Sequence, residues 1–407
     1  MSKVVVLGGC GAVGSIAAGM LVYHPEFSEV VIADANMDAA RKMVQMFQSP
    51  KVSAVQFDAL NPASTVEAVR GCDVVLNCVG PFYTTVKPVM QAVMQAGVNY
   101  VDVNDDVDVT IEALDMDAEV KKAGITVVVG LGNSPGITNM LARYAYDTLL
   151  DETEAVDIFH AHGGEPFEGE GVIGHRFHVM TIPIPMYLDG KMTHVRYFEK
   201  DGLALRTTFT FPILGEVPVY PYAHPEQVTL PRSMKLKRVT NRGTVIPNEY
   251  YNLTRDLCQL GFTSQEPLMV KGQTVIPYDF AVAYILRERE RILKETQFGT
   301  QRGCTTVVVT GVKDGKYRQY RFHTASQSQA LGEGTGVPAA MGAILMNRGQ
   351  VNGKGAMPPE ACINPAHFLA LLPEILPLMK SQAAGKAFEG FLVESVDENG
   401  TVTRVDF

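Results

Sequence analysis

Six residues near the start of the chain, Gly9-Cys10-Gly11-Ala12-Val13-Gly14, restrict its fold more than any other stretch. Their GxGxxG spacing directly follows the apolar run Val4–Leu7 and opens Gly14–Tyr23, where apolar residues recur at helical spacing. A continuous apolar run is expected of a strand buried on both faces. In a strand–turn–helix setting each glycine has a mechanical task. Gly9 permits the tight turn, Gly11 lets the backbone approach a pyrophosphate, and Gly14 allows close packing of helix on strand. The helix N-terminus then offers free N–H groups and partial positive charge to phosphate. Gly9, Gly11, Ala12, Val13 and Gly14 are therefore the candidate dinucleotide loop. Asp34 ends the second strand about 20 residues beyond Gly14, where a carboxylate accepts from the ribose hydroxyls of NAD. Ala35 and Asn36 supply no cation for a 2′-phosphate, whereas Arg41 and Lys42 lie further down the next helix. NAD is the expected cofactor and NADP remains open. Asp58, after the third strand, reads equally as an adenine neighbour or a solvated strand-end acid.

The pattern after the loop alternates strand and helix. Strands are expected at Glu29–Ala33, Val52–Phe57, Asp73–Cys78, Asn99–Val103 and Ile125–Gly130, with helices at Pro62–Arg70, Lys87–Ala96 and Glu112–Ala123. Such alternation implies right-handed parallel crossovers and a doubly wound sheet. With 407 residues the chain is long enough for two or three domains. Hydrophobic residues at 46% and charged residues at 19% exclude a disordered chain. The net charge of −9 provides no general field for phosphate backbones or anionic lipid, so neither nucleic acid nor membrane is an expected partner. No apolar run approaches the 18 or so residues that span a bilayer. The six cysteines are scattered and read as buried thiols, so a cytoplasmic protein is expected.

Four further segments occur in order: Asn77-Cys78-Val79-Gly80-Pro81-Phe82, Tyr100-Val101-Asp102, Gly130-Leu131-Gly132-Asn133-Ser134-Pro135-Gly136, and Gly334-Thr335-Gly336-Val337-Pro338-Ala339-Ala340-Met341-Gly342-Ala343. Together they resemble the saccharopine dehydrogenase-like family, which includes saccharopine reductases, lysine 6-dehydrogenases and carboxynorspermidine dehydrogenases. The resemblance implies an α/β fold: a Rossmann doubly wound parallel sheet with an inserted α+β domain, mainly antiparallel, for substrate binding and dimerisation. The expected divisions are residues 1–136 for the dinucleotide domain, 137–330 for the inserted domain and 331–407 for a helical segment returning to the Rossmann domain. The resemblance also implies hydride transfer to or from an imine, an amino acid or amine substrate, and a homodimer. Several saccharopine reductases carry an acidic residue directly before Pro-Gly. This chain has Ser134 there, which bears on whether saccharopine itself is the substrate.

The residue pattern agrees with that organisation. Ser134 reads as an N-cap with Pro135 at the first helical position. Val156–Ala161, Leu205–Phe211, Thr305–Thr310 and Arg318–His323 are strand-like, the last two joined across Lys313-Asp314-Gly315. From Thr335 helix is expected as far as Pro358-Pro359. Gly80, Pro81, Phe82 and Tyr83 should border the nicotinamide, with Tyr83 reaching substrate. Asp105 and Asp106 follow the fifth strand and read either as proton-exchanging groups or as a solvated loop that caps the next helix. Ser134 and His178 are the other catalytic candidates. Arg176 suits a bidentate grip on a substrate carboxylate, with His175 beside it. His175 and His178 lie three apart, but no acid or cysteine follows at ligand spacing, so no metal is expected. Arg206, Arg232, Lys271 and His323 are unranked anchors. Arg287-Glu288-Arg289-Glu290-Arg291 reads as a solvated helix face. Beside hydride transfer at a C–N bond, lysine 6-deamination and a non-catalytic nucleotide-binding module remain open.

Overall fold

Short apolar runs at the N-terminus become strands because helices cover them on both sides. The computed structural model describes residues 2–165, 168–327, 330–382 and 391–405. Its first layer contains β1 (Lys3–Leu7), α1 (Ala12–Tyr23), β2 (Glu29–Asp34), α2 (Met37–Phe47), β3 (Val52–Gln56), α3 (Pro62–Val69) and β4 (Val74–Asn77). It continues through α4 (Phe82–Ala96), β5 (Asn99–Asp102), α5 (Val107–Asp115), α6 (Asp117–Ala123), β6 (Thr126–Val128) and α7 (Ile137–Tyr144). Every pairing in this sheet is parallel. Val4, Val5, Val6 and Leu7 of β1 are all fully buried, alternately in cores on the two faces of the sheet.

The chain then builds a second sheet. Its elements are β7 (Glu152–Gly163), α8 (Glu170–Thr181), β8 (Ile184–Leu188), β9 (Lys191–Val195), α9 (Lys200–Ala204), β10 (Thr207–Phe211), β11 (Gly215–Pro221), α10 (Glu226–Ser233) and β12 (Arg238–Val245). They are followed by α11 (Asn248–Gln259), the small hairpin β13 (Leu268–Val270) and β14 (Gln273–Val275), α12 (Pro277–Glu295), β15 (Arg302–Lys313) and β16 (Lys316–Ser326). The β15–β16 hairpin turns at Asp314 (φ 52°) and Gly315 (φ 72°), the paired positive dihedrals of a type I′ turn. β12 pairs parallel with β7 and the other pairings are antiparallel.

The C-terminal segment divides between the layers. α13 (Ala330–Asn347) packs on α1, and β17 (Gly355–Met357) extends the first sheet beside β6, giving the order β17-β6-β5-β4-β1-β2-β3. After α14 (Pro359–Cys362), α15 (Pro365–Ala370) and α16 (Leu372–Gln382), β18 (Phe391–Val396) and β19 (Val402–Val405) join the second sheet beyond β16. The expected helical return over 331–407 is corrected in part: α13 and β17 rejoin the first layer, but the segment also contains strands, and β18 and β19 join the second sheet. β17 escapes a periodicity reading because it has three residues and begins at Gly355, φ 120°, where a Cβ would meet Asp117. Two helix starts also differ: α4 begins at Phe82 instead of Lys87, and α5 at Val107 instead of Glu112. On α12, Arg289 is 6% exposed and pairs with Glu168, so that part of the charged run faces inward. Among the described residues no helix is long and apolar enough to cross a membrane.

Candidate active site

Loops following β1, β4, β5 and β6 face α8, β7, β15 and the Tyr222–His224 segment across a cavity of about 710 Å³. Ligands of doubly wound sheets bind at this edge, outside the carboxyl ends of the strands. Asn133 Nδ2 donates to Thr305 Oγ1 at 2.8 Å and ties the two layers together at the cavity wall.

The glycine loop fits a dinucleotide. A Cβ on Gly14 would lie 2.2 Å from Gly8 O, and one on Gly9 would lie 2.8 Å from the Ile32 side chain. A Cβ on Gly11 would meet nothing nearer than 3.4 Å, so the space above Gly11 is free for a ligand. Gly11 is the N-cap of α1 and has no side-chain cap, which leaves the first N–H groups to phosphate. Asp34 accepts from Cys10 N at 3.0 Å and Asn36 N at 2.9 Å, with further lone pairs for a ribose. Burial and the Asp34 charge push the Cys10 thiol up to about 11, so it is a packing residue and not a nucleophile. Asp58 is exposed and accepts from Leu60 N at 2.9 Å within its own turn. Gly80, Pro81, Phe82 and Tyr83 all line the cavity beside Val13. Below them Asp102 is sealed, accepting from Gly130 N, Asn104 N and Tyr100 Oη; burial pushes it up to about 6.

Asp105 and Asp106 meet His175 of α8. Asp106 occupies the N-cap position of α5 but makes no cap bond; its Oδ1 lies 3.0 Å from His175 Nδ1. Asp105 Oδ2 lies 3.8 Å from Nε2. Burial disfavours the imidazolium, but the Asp105 charge and the Asp106 hydrogen bond and charge outweigh it and push His175 up to about 9. An imidazolium held between two carboxylates results, not a solvated capping loop.

His178 sits elsewhere. It stacks on Tyr83 with centroids 5.4 Å apart, contacts Asp108 at 3.2 Å and does not line the cavity. Its catalytic assignment is therefore corrected: three residues along α8, it is His175 that turns inward. Ser134 does not cap a helix either, since α7 starts at Ile137 with Gly136 (φ 129°) as its N-cap. The Ser134 hydroxyl instead donates to buried Glu226 at 2.5 Å. Arg176 lines the cavity while bonded to Glu168 and to Tyr250 Oη, and Arg289 holds the other oxygen of Glu168 at 3.0 Å. A free bidentate grip by Arg176 is corrected accordingly, because part of its fork is already occupied. Arg206, Arg232, Lys271 and His323 do not line the cavity. His323 is buried between Thr306 and Glu394.

Sequence reasoning missed His160, His162, Tyr222, His224 and Glu226. His160-Ala161-His162 carried a period-two signal, since alternate residues of a strand share a face. The His160 ring lies over Gly243, whose Cβ would fall 1.9 Å from it. His162 contacts Glu165 at 2.6 Å. Tyr222 is 7% exposed, and its hydroxyl makes no hydrogen bond among the described residues. His224 and Glu226 had only a weak signal, a His and a Glu flanking Pro225 between a strand and a helix.

The strand order, the glycine cradle and the cavity at the strand ends define the class: an NAD(P)-dependent oxidoreductase. Residues 4–128 match the saccharopine dehydrogenase NADP binding domain, and residues 132–375 match the saccharopine dehydrogenase C-terminal domain. The chain belongs to the saccharopine dehydrogenase family, whose dehydrogenases act at C–N bonds. It is 26% identical over 399 residues to carboxyaminopropylagmatine dehydrogenase of Synechocystis, covering 92% of this chain and 96% of that one. It is 27% identical over 406 residues to carboxynorspermidine synthase of Vibrio cholerae, covering 90% and 94%. In fold it is similar to apo saccharopine dehydrogenase (L-Glu forming) of Saccharomyces cerevisiae, with a TM-score of 0.64 at 14% identity over 92% of this chain and 97% of that one.

Proposed function

We propose that the substrate is an amine carrying a carboxylate, of the carboxylated polyamine kind named by the two relatives, interconverted with its imine. The observation that carries this reading is the His175 imidazolium between Asp105 and Asp106, in the same cavity as Gly80–Tyr83. Bound NAD(P) would supply hydride chemistry, held by Gly9–Gly14 and Asp34. The chain's own groups handle charge and protons. Asp105 offers a carboxylate to an ammonium, and His175, charged at neutral pH, donates a proton to the imine nitrogen in the imine-reducing direction. The part of the Arg176 fork not taken by Glu168 and Tyr250 lends positive character to the wall where a carboxylate would lie. NAD is the preferred cofactor in this reading, supported by Asp34 and by the lack of a cation at Ala35 and Asn36.

A cytoplasmic setting is supported by six unpaired thiols. A homodimer through the second domain is supported by its exposed Leu268, Met269 and Val270. Light scattering on the eluting chain tests the dimer, and a monomer mass would remove it. The function is tested by NADH-linked absorbance with carboxynorspermidine, carboxyaminopropylagmatine, saccharopine and lysine. Turnover is expected with a carboxylated polyamine. Ammonia release from lysine alone would replace that substrate, and silence with all four would sink the reading.

A further inference from the structure

His224 reaches the cavity floor from the segment between β11 and α10, and Glu226, the first residue of α10, lies behind it. His224 is 5% exposed and Glu226 is wholly buried. Proton accounting orients the imidazole. Ser134 donates its hydroxyl proton to Glu226 Oε1 at 2.5 Å, and Thr138 donates to the same oxygen at 2.6 Å. Glu226 Oε2 and Ser134 Oγ each lie 3.2 Å from His224 Nδ1. An ionised carboxylate donates nothing and the serine proton is already committed, so Nδ1 carries the proton that fills both contacts. Burial opposes the charge on Glu226, but His224 and the hydroxyl donors hold its pKa below the usual carboxylate range. Nε2 makes no hydrogen bond among the described residues, is not among the sealed polar atoms, and belongs to a ring that lines the cavity. This is not a serine nucleophile, which would need its hydroxyl on the basic nitrogen.

We infer that His224 is a further catalytic residue, a proton acceptor positioned by Glu226 and Ser134 so that Nε2 faces the substrate nitrogen. The inference rests on the C–N reading above. A secondary amine binds at neutral pH mainly as its ammonium, with a pKa of about 10 like that of lysine. Its nitrogen has no lone pair to form C=N until a proton leaves. In the step assigned here an N–H bond of the ammonium breaks, the electron pair stays on nitrogen, and Nε2–H forms. Glu226 balances the resulting imidazolium, and the reverse step returns the proton. His175 cannot serve as this acceptor at neutral pH because it is already charged. The other groups facing His224 are the His160 and Tyr222 rings, each 5.4 Å away, and the Asp105 carboxylate acting through space.

Nitrogen-15 histidine spectra of the full chain, with His224 assigned by its loss in His224→Asn, test the geometry without substrate. The expected result is an Nδ1–H tautomer whose Nδ1 resonance moves in Glu226→Gln, where the carboxylate acceptor is lost. An Nε2–H tautomer, or an Nδ1 resonance that does not move, overturns the inference. If Glu226→Gln does not fold, the tautomer in the parent and the kinetics of His224→Asn decide. Asparagine keeps a donor toward Glu226 and removes the cavity-facing nitrogen. NADH binding by fluorescence should then match the parent, while kcat for the carboxylated amine falls about 100-fold or more with KM within threefold. Full turnover by His224→Asn also overturns the inference. A parent chain with the expected tautomer but no C–N activity would sink the proposed function and leave His224 as the proton acceptor of a different reaction.

Discussion

Asp34 divides its carboxylate between the protein and the ligand. One oxygen accepts from Cys10 N–H and the other from Asn36 N–H, so it shapes the glycine loop while facing the ribose position. Asp34→Ala should weaken NAD binding about tenfold and shift the NAD to NADP affinity ratio toward NADP. Calorimetry with both nucleotides checks this, and an unchanged ratio removes the ribose assignment. His175 supports a second prediction at this scale. Its folded pKa of about 9 lies above the unfolded value of about 6.5, so its stabilisation is complete below 6.5 and is lost as pH rises through 9. The amount is about 3 kcal/mol. Urea unfolding at pH 6 and pH 10 should show this difference in the parent and not in His175→Gln. Asp34 was legible in the sequence because a glycine motif and a strand end fix its place. His175 was visible only as one of two histidines three residues apart, and the carboxylates that choose between them lie across the cavity.

Elements built around backbone contacts give sharper tests than those built around side chains. In the β1–α1 turn, a Cβ on Gly14 would collide with the Gly8 carbonyl, whereas one on Gly11 would meet that carbonyl only at an ordinary contact of 3.4 Å. Gly14→Ala should therefore destabilise the chain by about 1–3 kcal/mol and reduce nucleotide affinity as well. Gly11→Ala should melt within about 2 °C of the parent yet bind NAD at least tenfold more weakly, since its methyl occupies the pyrophosphate approach. Thermal melting and calorimetry on both variants separate the two roles, and equal losses of stability would refute the division. Six of the seven strands of the first sheet, all but β17, were legible, several of them because strands covered on both faces appear as unbroken apolar runs. The second layer was less so. Arg289 was read as solvated because its neighbours are, and only the packing of α12 shows it turned toward Glu168. β17 is three residues long and has no period to detect.

Across the molecule, the seam between the layers carries buried charge that the modest net charge of −9 conceals. Glu360 on α14 is 2% exposed and accepts from Asn139 of α7 at 2.9 Å, while its Oε1 meets no hydrogen-bond partner within ordinary distance among the described residues. Burial pushes its pKa up to about 7, with the nearby Glu226 charge acting in the same direction. Glu226, in contrast, is surrounded by donors and held ionised, so the pair holds one negative charge between them below neutral pH. The sign for Glu360 follows from its raised pKa. Below about 4.3 both native and unfolded chains are protonated and its contribution is intact; between there and 7 the unfolded chain releases its proton first. Native stability therefore falls across that interval, by about 3 kcal/mol in all, and is level above it. Glu360→Gln keeps the acceptor for Asn139 and removes the ionisation. It should melt near the parent at pH 4 and several degrees above it at pH 8, because a neutral amide never has to be charged in the seam. A parent–variant difference that is equal at the two pH values would show that the native pKa of Glu360 is not raised. In that case the orphaned oxygen must be met by a donor from the opposing layer, and the two domains would be held by a buried ion instead of a buried acid.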